Sequence, residues 1–328
     1  LGISAPDDKT IVIEIEHPVP FMLDLLSFAP WAPVNRAFRE EQGESFGISK
    51  DNQIYNGAFT VTQYDPAANT FVISKNPDYW DVDNVKLDSV TFQVIGETQQ
   101  AVMSYENGDV DYVELTGDLV EQYKDDEGFA SHNGSFNYYL MMNTTKPGMD
   151  NENFRRAIAC ALNREEICNS ILKDGSTPVQ QMIMVGLYAN EAGDDFAESS
   201  PQPNGYNLDE ATKYWEAAQA ETDVREFTIL FDQDKDFTQD VCAYIQDTVQ
   251  KALPGLTINL EATPKKSRTD RADSGDFDVC LWGWGPDYAD PTAILAMYES
   301  DHPSNYSRWH DEEFDKLYEQ ANTTDAGT

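Results

Sequence analysis

Between Phe227 and Trp282 two kinds of apolar run alternate, and this limits what the chain can fold into more than any other feature. Phe227-Thr-Ile-Leu-Phe231, Leu256-Thr-Ile-Asn-Leu260 and Asp278 to Trp282 are short and rich in β-branched or aromatic residues, so each reads as a strand. Phe237 to Leu253 instead places Phe237, Val241, Tyr244, Ile245, Val249 and Leu253 on or near one helical face. Such alternation predicts an α/β sheet. Ligands of these sheets bind beyond the carboxyl ends of strands, and Gly283-Trp-Gly-Pro-Asp287 sits at such an end. At 328 residues the chain exceeds one ordinary core, which makes two domains the natural expectation.

The segment after that strand carries the candidate site. A carboxylate at Asp287 pairs with an α-ammonium group through a charge-assisted bond of about 1.5–3 kcal/mol, or else only caps its own turn. Trp282 and Trp284, two apart, face the same side of a strand, as pocket wall or as core. Gly283 and Gly285 face the other side, where they either admit a ligand strand held by main-chain bonds or merely allow a bulge. Tyr138, Tyr139, Met141 and Met142 suit an adaptable pocket and a strand core equally well. Glu114 and Leu115 end the strand expected over Val110–Leu115, as the opposite rim of the site or as an ordinary strand end.

Elsewhere the pattern is readable in pieces. Thr10 to Glu16 alternates as a strand stopped by His17-Pro-Val-Pro. Phe21 to Trp31 reads as a short helix and turn. Gly57–Tyr64 and Thr70–Lys75 form a hairpin around Asp65-Pro-Ala-Ala-Asn. Leu87–Ile95, a helix over Glu97–Tyr105 and Val110–Leu115 make a strand-helix-strand unit. Phe136–Asn143 is a strand, Asn153–Leu172 one helix, Val185–Asn207 a long loop, and Asp209 caps a helix through Ala220. Glu312–Ala321 is the last helix.

Charge and motifs exclude several function classes. With 22 basic against 59 acidic residues the net charge is −37, which repels phosphate backbones and argues against nucleic acid. Such a surface serves solubility or a salty or acidic habitat, or it steers cationic ligands. No apolar run reaches the length of a membrane span, and Leu1-Gly-Ile-Ser is not a signal peptide. Opening without a methionine, the chain reads as a fragment. Cys160, Cys168, Cys242 and Cys280 lack metal or redox spacing. On one helix Cys160 and Cys168 stand about 12 Å apart, too far for a disulfide. Cys242 with Cys280 stays open, and buried free thiols are expected. None of His17, His132, His302 and His310 lies in a base or metal setting, and no hydrolase, zinc-protease or phosphate-loop motif occurs. A carboxylate pair in a Trp-lined cleft leaves a carbohydrate-active enzyme as the alternative of another class.

Six landmarks then follow one another in order. They are Asn56-Gly-Ala-Phe59, Asn76-Pro-Asp-Tyr-Trp80, Tyr105-Glu-Asn-Gly-Asp-Val-Asp111, the segment Asn153 to Ile167, Gly283-Trp-Gly-Pro-Asp-Tyr-Ala-Asp-Pro291, and Phe314-Asp-Lys-Leu317. Together they resemble the extracellular solute-binding proteins of family 5, the peptide- and nickel-binding components of ABC importers.

The resemblance implies a periplasmic-binding-protein type II-like α/β fold, two-lobed around a cleft that closes by hinge motion, here incomplete in lobe one. It divides the chain into residues 1–34 (remnant of a small extra domain), 35–134 (partial lobe one) and 135–328 (most of lobe two). It implies a monomeric, extracytoplasmic receptor, periplasmic or lipid-anchored at the cell surface, without cofactor or metal, that hands dipeptides or oligopeptides to a membrane permease. Asp287 would salt-bridge the ligand amine, Gly283 to Gly285 pair with its backbone, and Trp284 border a side-chain pocket. Glu114 and Leu115 would lie on the other lobe's face. A nickel chelate, haem or an oligosaccharide is the alternative cargo. Residues 1–328 by themselves are expected to bind peptide weakly or not at all.

Overall fold

A short antiparallel hairpin, β1 (Ile3–Asp7) with β2 (Thr10–Ile13), begins the described chain. The computed structural model describes residues 2–15, 19, 21–65, 67–132, 134–190, 192–201, 203, 205–288 and 290–323. His17 and Pro18, where the first strand is expected to stop, lie outside these residues, as do Pro66 of the hairpin turn and Ala289. The chain separates into two units, residues 1–29 with 120–328, and residues 30–119.

The smaller unit is built on the expected hairpin. β3 (Phe59–Asp65) pairs antiparallel with β4 (Thr70–Lys75), and β5 (Ser89–Gln93) adds to the other edge of β4. Phe71 and Phe92, directly opposite across that pair, stack at 4.4 Å. Helix α1 (Thr98–Glu106) stops before Gly108, whose φ of +78° suits a residue without Cβ. The return strand expected over Val110–Leu115 does not form, since the segment pairs with no described strand. An alternating pattern makes a strand only where a neighbour takes its hydrogen bonds.

The larger unit holds a four-stranded sheet in the order β6-β9-β7-β8, comprising β6 (Asn137–Met142), β7 (Glu226–Asp232), β8 (Thr257–Thr263) and β9 (Val279–Trp284). β7 runs parallel to β8 and β9, while β6 is antiparallel to β9. Both faces of β7 are covered, so it reads as a continuous apolar run. One face packs under α2 (Glu152–Ala161), α3 (Leu208–Glu221) and α4 (Asp236–Ala252) through Phe154, Ile158, Trp215 and Ile245 against Ile229, Phe231, Val279 and Leu281. Phe154 is fully buried and meets Trp215 edge-on at 5.3 Å. Burial of a side chain of that size stabilises by about 1.5–3 kcal/mol. The opposite face carries Met141, Leu230, Cys280 and Trp282 under α5 (Lys265–Ser274). Helix α6 (Glu312–Thr323) follows near the end.

Two helix boundaries differ from the sequence reading. Asn153–Leu172 is not one helix: Leu162 is extended, Asn163 caps a new turn through the Glu166 N–H, and residues 167–172 wind as a π-helix. A capping Asn interrupts a helix because its side chain replaces the missing backbone acceptor. α3 is likewise capped by Asn207 rather than Asp209. The four cysteines are free and buried, and burial pushes the thiols of Cys242 and Cys280 up to about 12, neutral at pH 7.

One polar tie joins α2 to α3. Asn151 and Asn153 donate to the Glu221 carboxylate at 2.8 and 2.9 Å. The bond from Asn151, then that from Asn153, holds this carboxyl below its ordinary value of 4.5. A folded pKa below the unfolded one stabilises fully above pH 4.5, and the contribution fades as pH falls through the folded value. Glu221→Gln is therefore expected to lower the melting temperature slightly at pH 7–8 and to leave it nearly unchanged at low pH, which flattens the acid limb of melting temperature against pH.

Candidate functional site

β9 is paired unevenly, and this creates the site. Against β6 it pairs along its whole length, from Val279 opposite Met142 to Trp284 opposite Asn137. Against β7 it pairs only at Val279 and Cys280. Beyond them the Leu281 carbonyl accepts from Arg268 Nη1 at 2.8 Å. From Trp282 to Gly285 no described group outside β6 takes a main-chain bond. A strand directs alternate N–H and C=O groups away from its antiparallel partner. That edge therefore offers free donors and acceptors at the carboxyl end of the sheet.

Past the edge the chain bends at Asp287 and Tyr288. Asp287 is exposed, and no described residue hydrogen-bonds or ion-pairs with its carboxylate. Its neighbour is fixed: the Tyr288 ring stacks on Phe21 at 4.2 Å, and burial raises the phenol pKa. Asp290 holds the next turn, accepting from the Thr292 N–H at 2.9 Å and hydroxyl at 2.6 Å.

The glycines admit a close approach, but from the chain's own side chains. A Cβ on Gly283 would meet the Phe136 ring at 2.5 Å and the Tyr138 ring at 2.7 Å. On Gly285 it would meet the Ser135 carbonyl oxygen at 2.6 Å. Rings yield more readily than main chain. Gly285→Ala is therefore expected to cost about 1–3 kcal/mol, read as a fall in melting temperature. Phe136→Ala does not relieve it, because Ser135 O stays in place.

The other predicted residues separate into distinct environments. Trp282 is a core side chain: the Arg268 guanidinium lies 4.2 Å over its ring and Tyr306 meets it edge-on at 5.2 Å. Met141 is buried with it on the same face of the sheet. Trp284 is half-buried between two apolar clusters, and its indole N–H meets no described acceptor. Tyr138 is 40% exposed and leans edge-on against Phe237. Glu114, exposed, and Leu115, half-buried, belong to the smaller unit. Thus Gly283, Trp284, Gly285, Asp287 and Tyr138 gather at the end of β9, with Trp282 and Met141 beneath them.

Three contributors were not singled out in the sequence. Phe136 covers the glycines. Lys235 donates to the Tyr138 hydroxyl at 2.7 Å. Arg268, only 9% exposed, lies 3.9 Å from the buried carboxylate of Asp232 and leaves its Nε without an acceptor. A base at a strand-to-helix junction of so acidic a chain was the available signal for Lys235. Among the described residues no cluster of His, Cys, Asp and Glu is suited to hold a metal ion.

A large cavity lies beside the site. About 1260 Å³ in volume, it follows β6, whose outer edge has no described strand partner, and Tyr138, Leu140, Met141, Ile158 and Leu162 contribute to its wall. Asp287, Gly283, Gly285, Trp282 and Trp284 lie outside its lining.

Residues 1–306 match the family model described as bacterial extracellular solute-binding proteins, family 5 Middle. The chain is 29% identical to the dipeptide-binding protein of Lactococcus lactis, across 99% of this chain and 62% of that protein. Among solved structures it is similar to the peptide-binding pheromone receptor PrgZ, with a TM-score of 0.87 and 29% identity, covering 99% of this chain and 65% of that one. It is also similar to Listeria monocytogenes OppA bound to peptide, with a TM-score of 0.85 and 30% identity, over 96% of this chain and 63% of that one. The fold is the α/β type II periplasmic-binding fold. The chain spans about three fifths of the length of the curated relatives it matches.

Proposed function

Because the chain belongs to the bacterial extracellular solute-binding proteins of family 5, we propose that it is part of the substrate-binding component of an ABC importer and captures dipeptides or oligopeptides without catalysis. The open edge of β9, leading to the exposed and unpaired carboxylate of Asp287, carries this reading. A peptide added as a strand is held through its main chain, which does not depend on side-chain identity, while a carboxylate at the end of the edge takes the α-amine. No helix of the described residues is long and apolar enough to cross a membrane, which suits a receptor that delivers its ligand to a separate permease. The receptor acts outside the cytoplasm, as a monomer.

Calorimetric titration of the protein as the organism makes it with short free-amine peptides, beside assays on chromogenic glycosides, tests this. Saturable peptide binding without glycoside turnover is the expected outcome. Turnover that disappears when one carboxylate is replaced would instead make the protein a carbohydrate-active enzyme.

A further inference from the structure

Asp287 bonds to no described side chain, so its main chain sets where the carboxylate points. On one side stands Pro286, whose ring fixes its own backbone angle φ. On the other stands Tyr288, half-buried and held at three places. Its carbonyl accepts from the Asp290 N–H at 2.9 Å. Its hydroxyl lies 3.4 Å from that of Thr292, which opens the short helix Thr292–Leu295 and is buried together with Ala293 and Ile294. Its ring stacks on Phe21, with centroids 4.2 Å apart and planes within 10° of parallel.

These three ties are unequal. The hydroxyl contact is long for an O–H···O bond, so the stack is the firmer hold on the ring. Phe21 arrives from a remote part of the sequence and is itself fixed. It is half-buried and stands directly before the short helix Met22–Ser27, whose Leu25 N–H donates to the Phe21 carbonyl at 3.0 Å. A segment held on both sides of a binding group aims that group before the ligand arrives, which leaves less ordering for binding to offset.

We infer that Phe21 is a positioning residue for peptide capture: by stacking on Tyr288 it holds the bend that aims Asp287 at the α-amine of the ligand. The inference rests on the peptide-capture reading above. It makes the amine site depend on a residue outside the sheet that carries it. The stack can lend the site no more than it is itself worth, which bounds the effect at roughly two- to tenfold in affinity.

The test titrates the protein as the organism makes it with alanine peptides of two to six residues, each with a free amine and N-acetylated. Phe21→Ala is expected to weaken the free-amine peptides by roughly two- to tenfold and to leave the acetylated ones unchanged. Phe21→Tyr keeps the ring and is expected to keep the preference for the free amine. In an Asp287→Ala background, Phe21→Ala is expected to change neither series, because the carboxylate it aims is gone. If Phe21→Ala does not fold, Phe21→Leu, which keeps apolar bulk without a ring, carries the same comparison. Equal weakening of both series, undiminished binding of the free-amine peptides, or a loss that persists without Asp287 overturns the role of Phe21 while leaving peptide capture standing. If the unaltered protein binds none of these peptides, the capture reading falls and this inference with it.

Discussion

Replacing Asp287 with alanine is expected to weaken capture of a free-amine peptide roughly ten- to a hundredfold, from loss of one charge-assisted bond. The same substitution is expected to leave binding of the N-acetylated peptide nearly unchanged, because acetylation has already removed the cation. Asp287 is exposed and bonds to no described residue, so its removal leaves no buried group unsatisfied. The melting temperature should accordingly stay close to that of the unaltered protein. Calorimetry with the two peptides separates this account from a general distortion, which would weaken both alike.

Arg268→Ala is expected to cost the larger unit about 3–5 kcal/mol of stability, the usual cost of leaving one charge of a buried pair unmatched. Asp232 is only 2% exposed, and the guanidinium is the cation beside it. At 3.9 Å the pair is too long for a hydrogen bond, so most of the loss comes from the stranded carboxylate. The rest comes from the Leu281 carbonyl and the Trp282 ring, both of which Arg268 covers. Combining Arg268→Ala with Asp232→Asn removes the stranded charge and should recover a substantial part of the stability. Urea titrations of the single and double variants measure this coupling. Strictly additive losses would show that the two side chains stabilise independently.

Sequence was most informative where one apolar face meets one sheet. The run Phe227 to Phe231 and the helix after it repeat with the spacings of a strand and an amphipathic helix, and both lie where expected. Helix α5 left no such trace, because its only buried residues are Arg268 and Ala272, and a buried arginine reads as surface. Val110–Leu115 had the alternation of a strand but no described partner, and pairing is a tertiary fact that alternation cannot carry. The break at Leu162 was visible only as Asn163, a capping residue inside an otherwise periodic stretch.

The same distinction holds at the site. Gly283 and Gly285 were recognisable as positions of close approach, yet which group approaches depends on Ser135, Phe136 and Tyr138 arriving from a strand nearly 150 positions earlier. Trp282 and Trp284 do share a face, but only the position of Arg268 decides that Trp282 is core. Lys235 stands beside Gly283 because β7 and β9 are neighbours, a relation that no local spacing encodes.

Peptide capture through an amine at Asp287 is tested most directly by mass spectrometry of the small molecules released from gently purified protein, beside its Asp287→Ala variant. The account predicts a ladder of short peptides from the unaltered protein and their loss from the variant. A single metal chelate, haem or sugar released from both would contradict it.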